Sequence, residues 1–326
     1  MSDIKLNPKI FDQDVEQVAT RDGYGQGLVE LGKANPNIVV LTGDLSDSTR
    51  AAMFQKEFPD RFIECGIAEQ NMIGIATGLA LTGKVPFVSS YAVFTPGRCW
   101  DQIRVSVCYS KANVKIAGAH AGVSVGPDGA THQGLEDIAS LRVIPNLIVI
   151  VPCDVIETKK CTITAGEIVG PVYFRFAREK TPVITTQGSP FKVGKAEIFL
   201  DLGDDVAICA SGPLLYQSLI AAKELEKEGI KAVVVNSHTI KPMDVETLVD
   251  VAKRTKAMVT VEDHQTMGGC GSAVAEVLAQ HCPVPIEFVG MPNVFGESGA
   301  PEELLEKYGM SVKSIKSAVK KVTQRK

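Results

Sequence analysis

The sequence predicts an α/β protein built from two consecutive α/β domains with mainly parallel sheets. Three observations carry that prediction. Short β-branched runs alternate with helical stretches, a pattern that covers both faces of a parallel sheet with helices. With 326 residues the chain is long enough for two domains, each burying a sizeable core. The alternation breaks once, over 181–204, where Pro182, Gly188, Pro190, Gly194 and Gly203 gather. The expected partition is a first domain at 1–182, a linker at 183–204 with room for short strands, and a second domain at 205–326.

In the first domain, strands are expected at 38–41, 61–64, 85–89, 114–117, 147–151 and 172–176. The helices between them fall at 24–34, 69–82, 98–109, 134–141 and 155–165. These intervals are short enough for right-handed crossovers between parallel strands. In the second domain the strands are 206–210, 232–235, 258–261 and 286–289, with helices at 214–228, 245–254, 271–279 and 302–306. Lys313, Lys316, Lys320, Lys321, Arg325 and Lys326 are spaced as the wet face of a terminal helix. No internal repeat or low-complexity segment interrupts the chain.

Hydrophobic content of 45 %, charged content of 22 % and 29 glycines describe an ordinary soluble α/β protein. A net charge of −4 offers no electrostatic reason to bind nucleic acid or a membrane surface. No apolar run approaches bilayer-spanning length, and the N-terminus lacks an apolar signal core. The eight cysteines contain no C-x-x-C pair and mostly lie in apolar or helical stretches. That usage points to buried, reduced thiols and a cytoplasmic location.

Two stretches concentrate the chemistry. In Phe62-Ile63-Glu64-Cys65-Gly66-Ile67-Ala68-Glu69-Gln70-Asn71-Met72, an apolar strand and a glycine turn lead to Glu69 at the start of a helix. Glu69 at that point is either a structural cap or a dry functional carboxylate with an altered proton affinity. The second stretch runs from Ala119 to Gln133, a glycine-rich loop after a strand, holding His120, Asp128 and His132. Loops leaving the carboxyl ends of strands carry ligand sites in open α/β sheets. Their two imidazoles and carboxylate can transfer protons and hydrogen-bond a polyhydroxylated substrate. Separations of eight and four residues in a loop are not a zinc pattern, so no metal site is expected in this chain.

Gly66-Ile67-Ala68-Glu69-Gln70, Asp128-Gly129-Ala130-Thr131-His132-Gln133 and Gly43-Asp44-Leu45-Ser46 together resemble the transketolase family of thiamine diphosphate enzymes. More narrowly, the chain is similar to the C-terminal subunit of a split transketolase, from about Ala19 onward. The resemblance implies a pyrimidine-binding domain followed by a transketolase C-terminal domain. Glu69 matches the glutamate that hydrogen-bonds N1′ of the cofactor aminopyrimidine and favours the tautomer whose N4′ takes the thiazolium C2 proton. Phe94 matches the aromatic that stacks on that ring, and Asp44 an aspartate near it; a core phenylalanine and a strand-end cap are their plain alternatives. His120, Asp128 and His132 match residues that bind sugar hydroxyls, with His120 also reaching the acceptor phosphate. Arg21, Ser48 and Arg178 match the phosphate-binding arginines and serine. Glu69, His120 and His132 are thus the implied catalytic residues.

The family holds the diphosphate and its Mg2+ (or Ca2+ or Mn2+) through a Gly-Asp-Gly motif, and no such motif occurs here. The pyrimidine domain is expected to begin almost at the first residue of the sequence, which leaves no diphosphate domain expected before it. A companion N-terminal subunit is therefore expected to carry that half-site. The small residues Gly74, Ala76, Gly78 and Ala80 are expected to let two copies approach closely, giving a homodimeric contact inside an α2β2 heterotetramer. The implied reaction moves a two-carbon ketol unit between phosphorylated sugars. The alternatives are the β-type subunit of a 2-oxo acid dehydrogenase, a 1-deoxyxylulose-phosphate synthase-like enzyme and a non-catalytic assembly subunit. In the second domain, Glu262-Asp263-His264 and Gly268-Gly269-Cys270-Gly271-Ser272 match the family, and His264 is read as a packing residue.

Overall fold

The computed structural model describes residues 6–326, and two open sheets dominate it. The first half contains β1 (Gln17–Ala19), α1 (Thr20–Ala34), β2 (Ile38–Thr42), α2 (Ser46–Thr49), α3 (Ala52–Glu57), β3 (Phe62–Glu64), α4 (Glu69–Leu81) and β4 (Val85–Tyr91). It continues with α5 (Trp100–Gln102), β5 (Lys115–Ala119), α6 (Asp137–Arg142), β6 (Ile148–Ile150), α7 (Val155–Glu167), β7 (Val172–Arg175) and β8 (Lys180–Pro182). The second half adds β9 (Glu197–Asp201), β10 (Val206–Ala210), α8 (Leu215–Lys227), β11 (Ala232–Asn236), β12 (Thr239–Lys241) and α9 (Val245–Thr255). After it come β13 (Met258–Gln265), α10 (Cys270–His281), β14 (Ile286–Met291), α11 (Pro301–Lys307) and α12 (Val312–Thr323).

The first sheet has the order β12-β6-β7-β5-β4-β2-β3 and is parallel except for β12. Its central strands are buried along their whole length, as near-continuous apolar runs in a parallel sheet must be. Helices α1 and α7 pack against each other very closely: a Cβ on Gly23 would sit 2.0 Å from the Val155 carbonyl oxygen. Beneath them Tyr24 is fully buried against Phe174 and Phe176, and its hydroxyl meets Ser89 Oγ at 2.5 Å. The second sheet has the order β14-β13-β10-β11-β9, parallel except for β9. The interval expected as linker thus holds an edge strand, as it had room to do.

Other expectations change. One apolar cluster runs from Leu41, Val88 and Ile116 of the first sheet to Cys209, Val235 and Leu248 of the second half, so part of the core is shared. Strand β12 lies in the second half of the chain yet closes the first sheet antiparallel to β6. Neither the shared core nor this long-range pairing has a local sequence signature. The helix expected over 98–109 is a short turn followed by a π-helix at Ile103–Tyr109. That expected at 134–141 begins only at Asp137, because Gly134 is bridged to Ala121 instead. Gly74, Ala76, Gly78 and Ala80 do not form one face, since residues two apart on an α-helix point to different sides. Ala76 is fully buried in the core, while Gly74 and Gly78 open outward with nothing within 4 Å of an added Cβ. Helix α12 has the wet face read from its lysines: Lys316 bridges Glu224 and Glu228, and Ile315, Val319 and Val322 face the core. All eight cysteines are free thiols, most of them buried.

Candidate functional site

Strand order creates the site. Strands β7, β5, β4, β2 and β3 are neighbours, so the segments leaving their carboxyl ends line one edge of the sheet. Those segments carry Arg178, His120, Phe94, Asp44 and Glu69 in turn. Gly43, Asp44, Ile67, Glu69, Phe94, Asp128 and His132 border one cleft of about 550 Å3. A second cavity of about 710 Å3 is bordered by Arg21, Arg50, Ser124 and Arg178. Asp128 and Arg178 join the two, with Arg178 Nη1 donating to Asp128 Oδ1 at 3.1 Å.

Glu69 opens α4 and is only 3 % exposed, so a charged side chain at the floor of the cleft is shut from water. The helix N-terminus favours a carboxylate there. The turn that delivers it is built by Glu64, whose Oε1 accepts from Asp44 N at 2.7 Å and from Gly66 N at 2.9 Å. Gly66 adopts φ +67, which glycine takes at no steric cost. Asp44 itself is exposed at the mouth, with φ 62.

Glu69 is buried but not alone. Arg98 Nη1 donates to its Oε1 at 2.9 Å, and the same guanidinium lies 3.9 Å over the Phe94 ring. Beyond Phe94, Tyr91 stacks at 5.7 Å, and His120 stacks on Tyr91 at 4.0 Å. The result is a column of His120, Tyr91, Phe94 and Arg98, with His132 edge-on to both Tyr91 and Phe94. Such ring and cation contacts contribute on the order of 1 kcal/mol each. Tyr91 and Arg98 were absent from the sequence reading. Their signal was there: Tyr91 ends a buried strand, and Arg98 follows Phe94 by four residues.

His120 is 2 % exposed and its Nδ1 has no hydrogen-bond partner. Burial first, then Arg21, Arg178 and His132, push its imidazole down to about 3. It is therefore neutral at ordinary pH, free to donate or accept a hydrogen bond but not to act as a cation. Protonation favours the unfolded chain, so this residue contributes stability that is lost as pH falls below the unfolded value of about 6.5. We expect the His120 ring signals in an NMR titration to stay flat from about pH 8 to about pH 5. A midpoint near 6.5 would mean a wet, open site.

Around the second cavity, Arg21 Nη1 donates to the backbone carbonyl of Ser48 at 3.0 Å, so it is the main chain of Ser48 that meets Arg21. Arg21 Nε is buried without a partner, and burial together with Arg50 lowers the proton affinity of this guanidinium. Arg50, also missed in the sequence, turns toward the same place while held by Asp22 at 2.6 Å. Three guanidinium groups border this cavity and can donate to an anion, although the carboxylates of Asp22, Glu179, Glu302 and Glu303 border it too. Among the described residues, no group of three or more His, Cys, Asp and Glu is arranged to hold a metal ion, and no helix is long and apolar enough to cross a membrane.

Residues 16–183 match the transketolase pyrimidine-binding domain and residues 194–315 the transketolase C-terminal domain. The chain is similar to a protein of Methanocaldococcus jannaschii assigned as a transketolase C-terminal section, with 48 % identity over 90 % of this chain and 93 % of that one. It is 39 % identical to a 6-deoxy-6-sulfo-D-fructose transketolase subunit of a Clostridium species, over 97 % of this chain and 98 % of the relative. Human transketolase is 39 % identical over 94 % of this chain, which spans 49 % of that longer protein. Among solved structures, a split gene transketolase described as an inactive β4 tetramer superimposes with a TM-score of 0.89 and 48 % identity, covering 95 % of this chain and 99 % of that one.

Proposed function

The chain belongs to the transketolase family, and from that premise we propose that it is the pyrimidine-domain and C-terminal-domain subunit of a two-chain transketolase. Its reaction would transfer a two-carbon ketol unit from a ketose phosphate to an aldose phosphate. One observation carries the reading: a water-excluded glutamate at a helix start shares a cleft with Phe94, and that cleft adjoins a three-arginine cavity. The first part suits a protonatable aminopyrimidine ring and the second a terminal phosphate. The sulfonated-sugar relative handles a substrate whose far end is also anionic, in keeping with an arginine-lined subsite. The buried free thiols fit a cytoplasmic enzyme.

The residues present fit half of thiamine diphosphate. Glu69 would hold a proton at the pyrimidine N1′, and Phe94 would carry the ring face. When bound, the cofactor supplies the electron sink of the reaction. Arg98 now donates to Glu69 and lies over Phe94, the two groups that would hold the ring, so the ring would take the place of its guanidinium. Arg98 is 46 % exposed, so its guanidinium can turn out into water, and the buried Glu69 would then exchange the arginine for the ring as its partner. His120, Asp128 and His132 would bind and orient the sugar hydroxyls, and Arg21 and Arg178 its phosphate. The diphosphate and its Mg2+ would be held by the companion chain, since the described residues offer neither Gly-Asp-Gly nor a metal-binding cluster. The outward-facing Gly74 and Gly78 of α4 suit close approach of a second copy at the centre of a heterotetramer.

Calorimetry with thiamine diphosphate and magnesium tests this. The chain alone should bind the cofactor weakly and turn over no sugar phosphate, and adding the companion chain should restore both. Tight binding and turnover by this chain alone would refute the divided site.

A further inference from the structure

The loop at 119–133 carries half of the proposed sugar-binding groups, yet its backbone is poorly suited to rigidity. His120, Gly122, Gly126 and Gly129 all have positive φ, at 54°, 90°, 79° and 75°. Its own regular structure is one short 3₁₀ helix at Val123–Asp128. What does hold it comes largely from the second half of the chain. Asp263, at the carboxyl end of β13, accepts from Val123 N at 2.8 Å, from Ser124 N at 3.3 Å and from Ser124 Oγ at 2.6 Å. The carboxylate lies flat against the loop: a Cβ on Gly122 would be 2.0 Å from its Oδ2. Glycine is required there by both the approach and the φ of +90.

Neighbouring contacts extend the clamp. Arg175 Nη2 donates to the Asp263 carbonyl at 3.1 Å and to that of Gly134 at 3.0 Å. Gln133 Nε2 donates to Val123 O at 3.2 Å and to Glu297 O at 3.0 Å, tying both ends of the loop to the segment before α11. Arg178 donates to Val125 O at 3.0 Å, so an anion-binding arginine also grips the loop.

We infer that Asp263 is a positioning residue: it fixes the loop so that His120, Asp128 and His132 face the sugar at a set distance from Glu69. This rests on the function proposed above for its kinetic consequence, but not for the clamp itself. A carboxylate bound to two consecutive backbone N–H groups and a hydroxyl is a strong anchor, since such charge-assisted bonds are about twice as strong as neutral ones. Losing it would misplace substrate groups by amounts that cost activity without touching the cofactor.

Asp263→Asn and Asp263→Ala decide it, with two readouts. In the chain alone, amide hydrogen exchange of Val123 and Ser124 should accelerate at least about tenfold in Asp263→Ala, and less in Asp263→Asn, while β10 and β13 keep their protection. In the reconstituted two-chain enzyme, kcat/KM for phosphorylated sugars should fall roughly 10- to 100-fold with cofactor affinity unchanged. Unchanged loop protection would overturn the inference. So would a loss shared by the whole second sheet and by cofactor affinity, which would mark Asp263 as merely structural. Unchanged kcat/KM despite a loosened loop would overturn it too. If the wild-type two-chain enzyme moves no ketol unit, the proposed function fails, and the exchange experiment still decides the clamp.

Discussion

Replacing Glu69 with glutamine in the reconstituted two-chain enzyme is expected to lower turnover by roughly 10²–10⁴-fold, the usual size of a lost acid–base contribution. Glutamine keeps the shape and can still reach a ring nitrogen, but it cannot hold a proton for one. Exchange of the cofactor C2 proton should slow in parallel, which places the loss at proton transfer rather than at sugar binding. The fold should survive. Among the described residues Glu69 makes a side-chain hydrogen bond with Arg98 only, and glutamine can accept the same bond without placing a charge in a buried position. The thermal midpoint of Glu69→Gln should therefore stay close to that of the parent chain. If C2 exchange is as fast in Glu69→Ala as in the parent, the glutamate has no part in activating the ring.

Arg178→Ala should weaken phosphorylated acceptors far more than their dephosphorylated counterparts. A charge-assisted contact in a partly closed cavity is worth roughly 1.5–3 kcal/mol, or about 10- to 150-fold in kcat/KM. The structure adds a competing role, because Arg178 also donates to Val125 O and to Asp128. Removing it loosens the sugar loop as well as the phosphate subsite. The ratio between the two acceptor types separates these effects: a selective loss belongs to phosphate, and an equal loss to the loop. Arg178→Lys sharpens the comparison, since an ammonium retains the charge but not the fork that meets two oxygens at once. Equal losses for both acceptors in both variants would make Arg178 a structural residue only.

The amino-acid sequence by itself determined the alternation of strands and helices, the turn that sets Glu69 at a helix start and the glycine loop with its two histidines. Each of these depends on neighbours within a few residues: apolar runs, a glycine where φ is positive, small residues after a turn. Even the wet face of α12 could be read from the spacing of its lysines. What lay beyond reach was set by strand order. Arg98 over Phe94 could be suspected from their spacing, but only the strand order β4-β2-β3 brings Glu69 to the pair. The pairing of β12 with β6 joins residues far apart in the chain, and so does Asp263 on Val123, 140 positions away. The small residues of α4 divide between two sides of the helix, Ala76 in the core and Gly74 and Gly78 outward, and only the packing of α4 on the sheet decides which side is which. Local chemistry names the groups that can react. Which of them meet, and which are silenced by a partner such as Arg98, depends on how the sheets order and stack, because those contacts form only once distant segments are buried together.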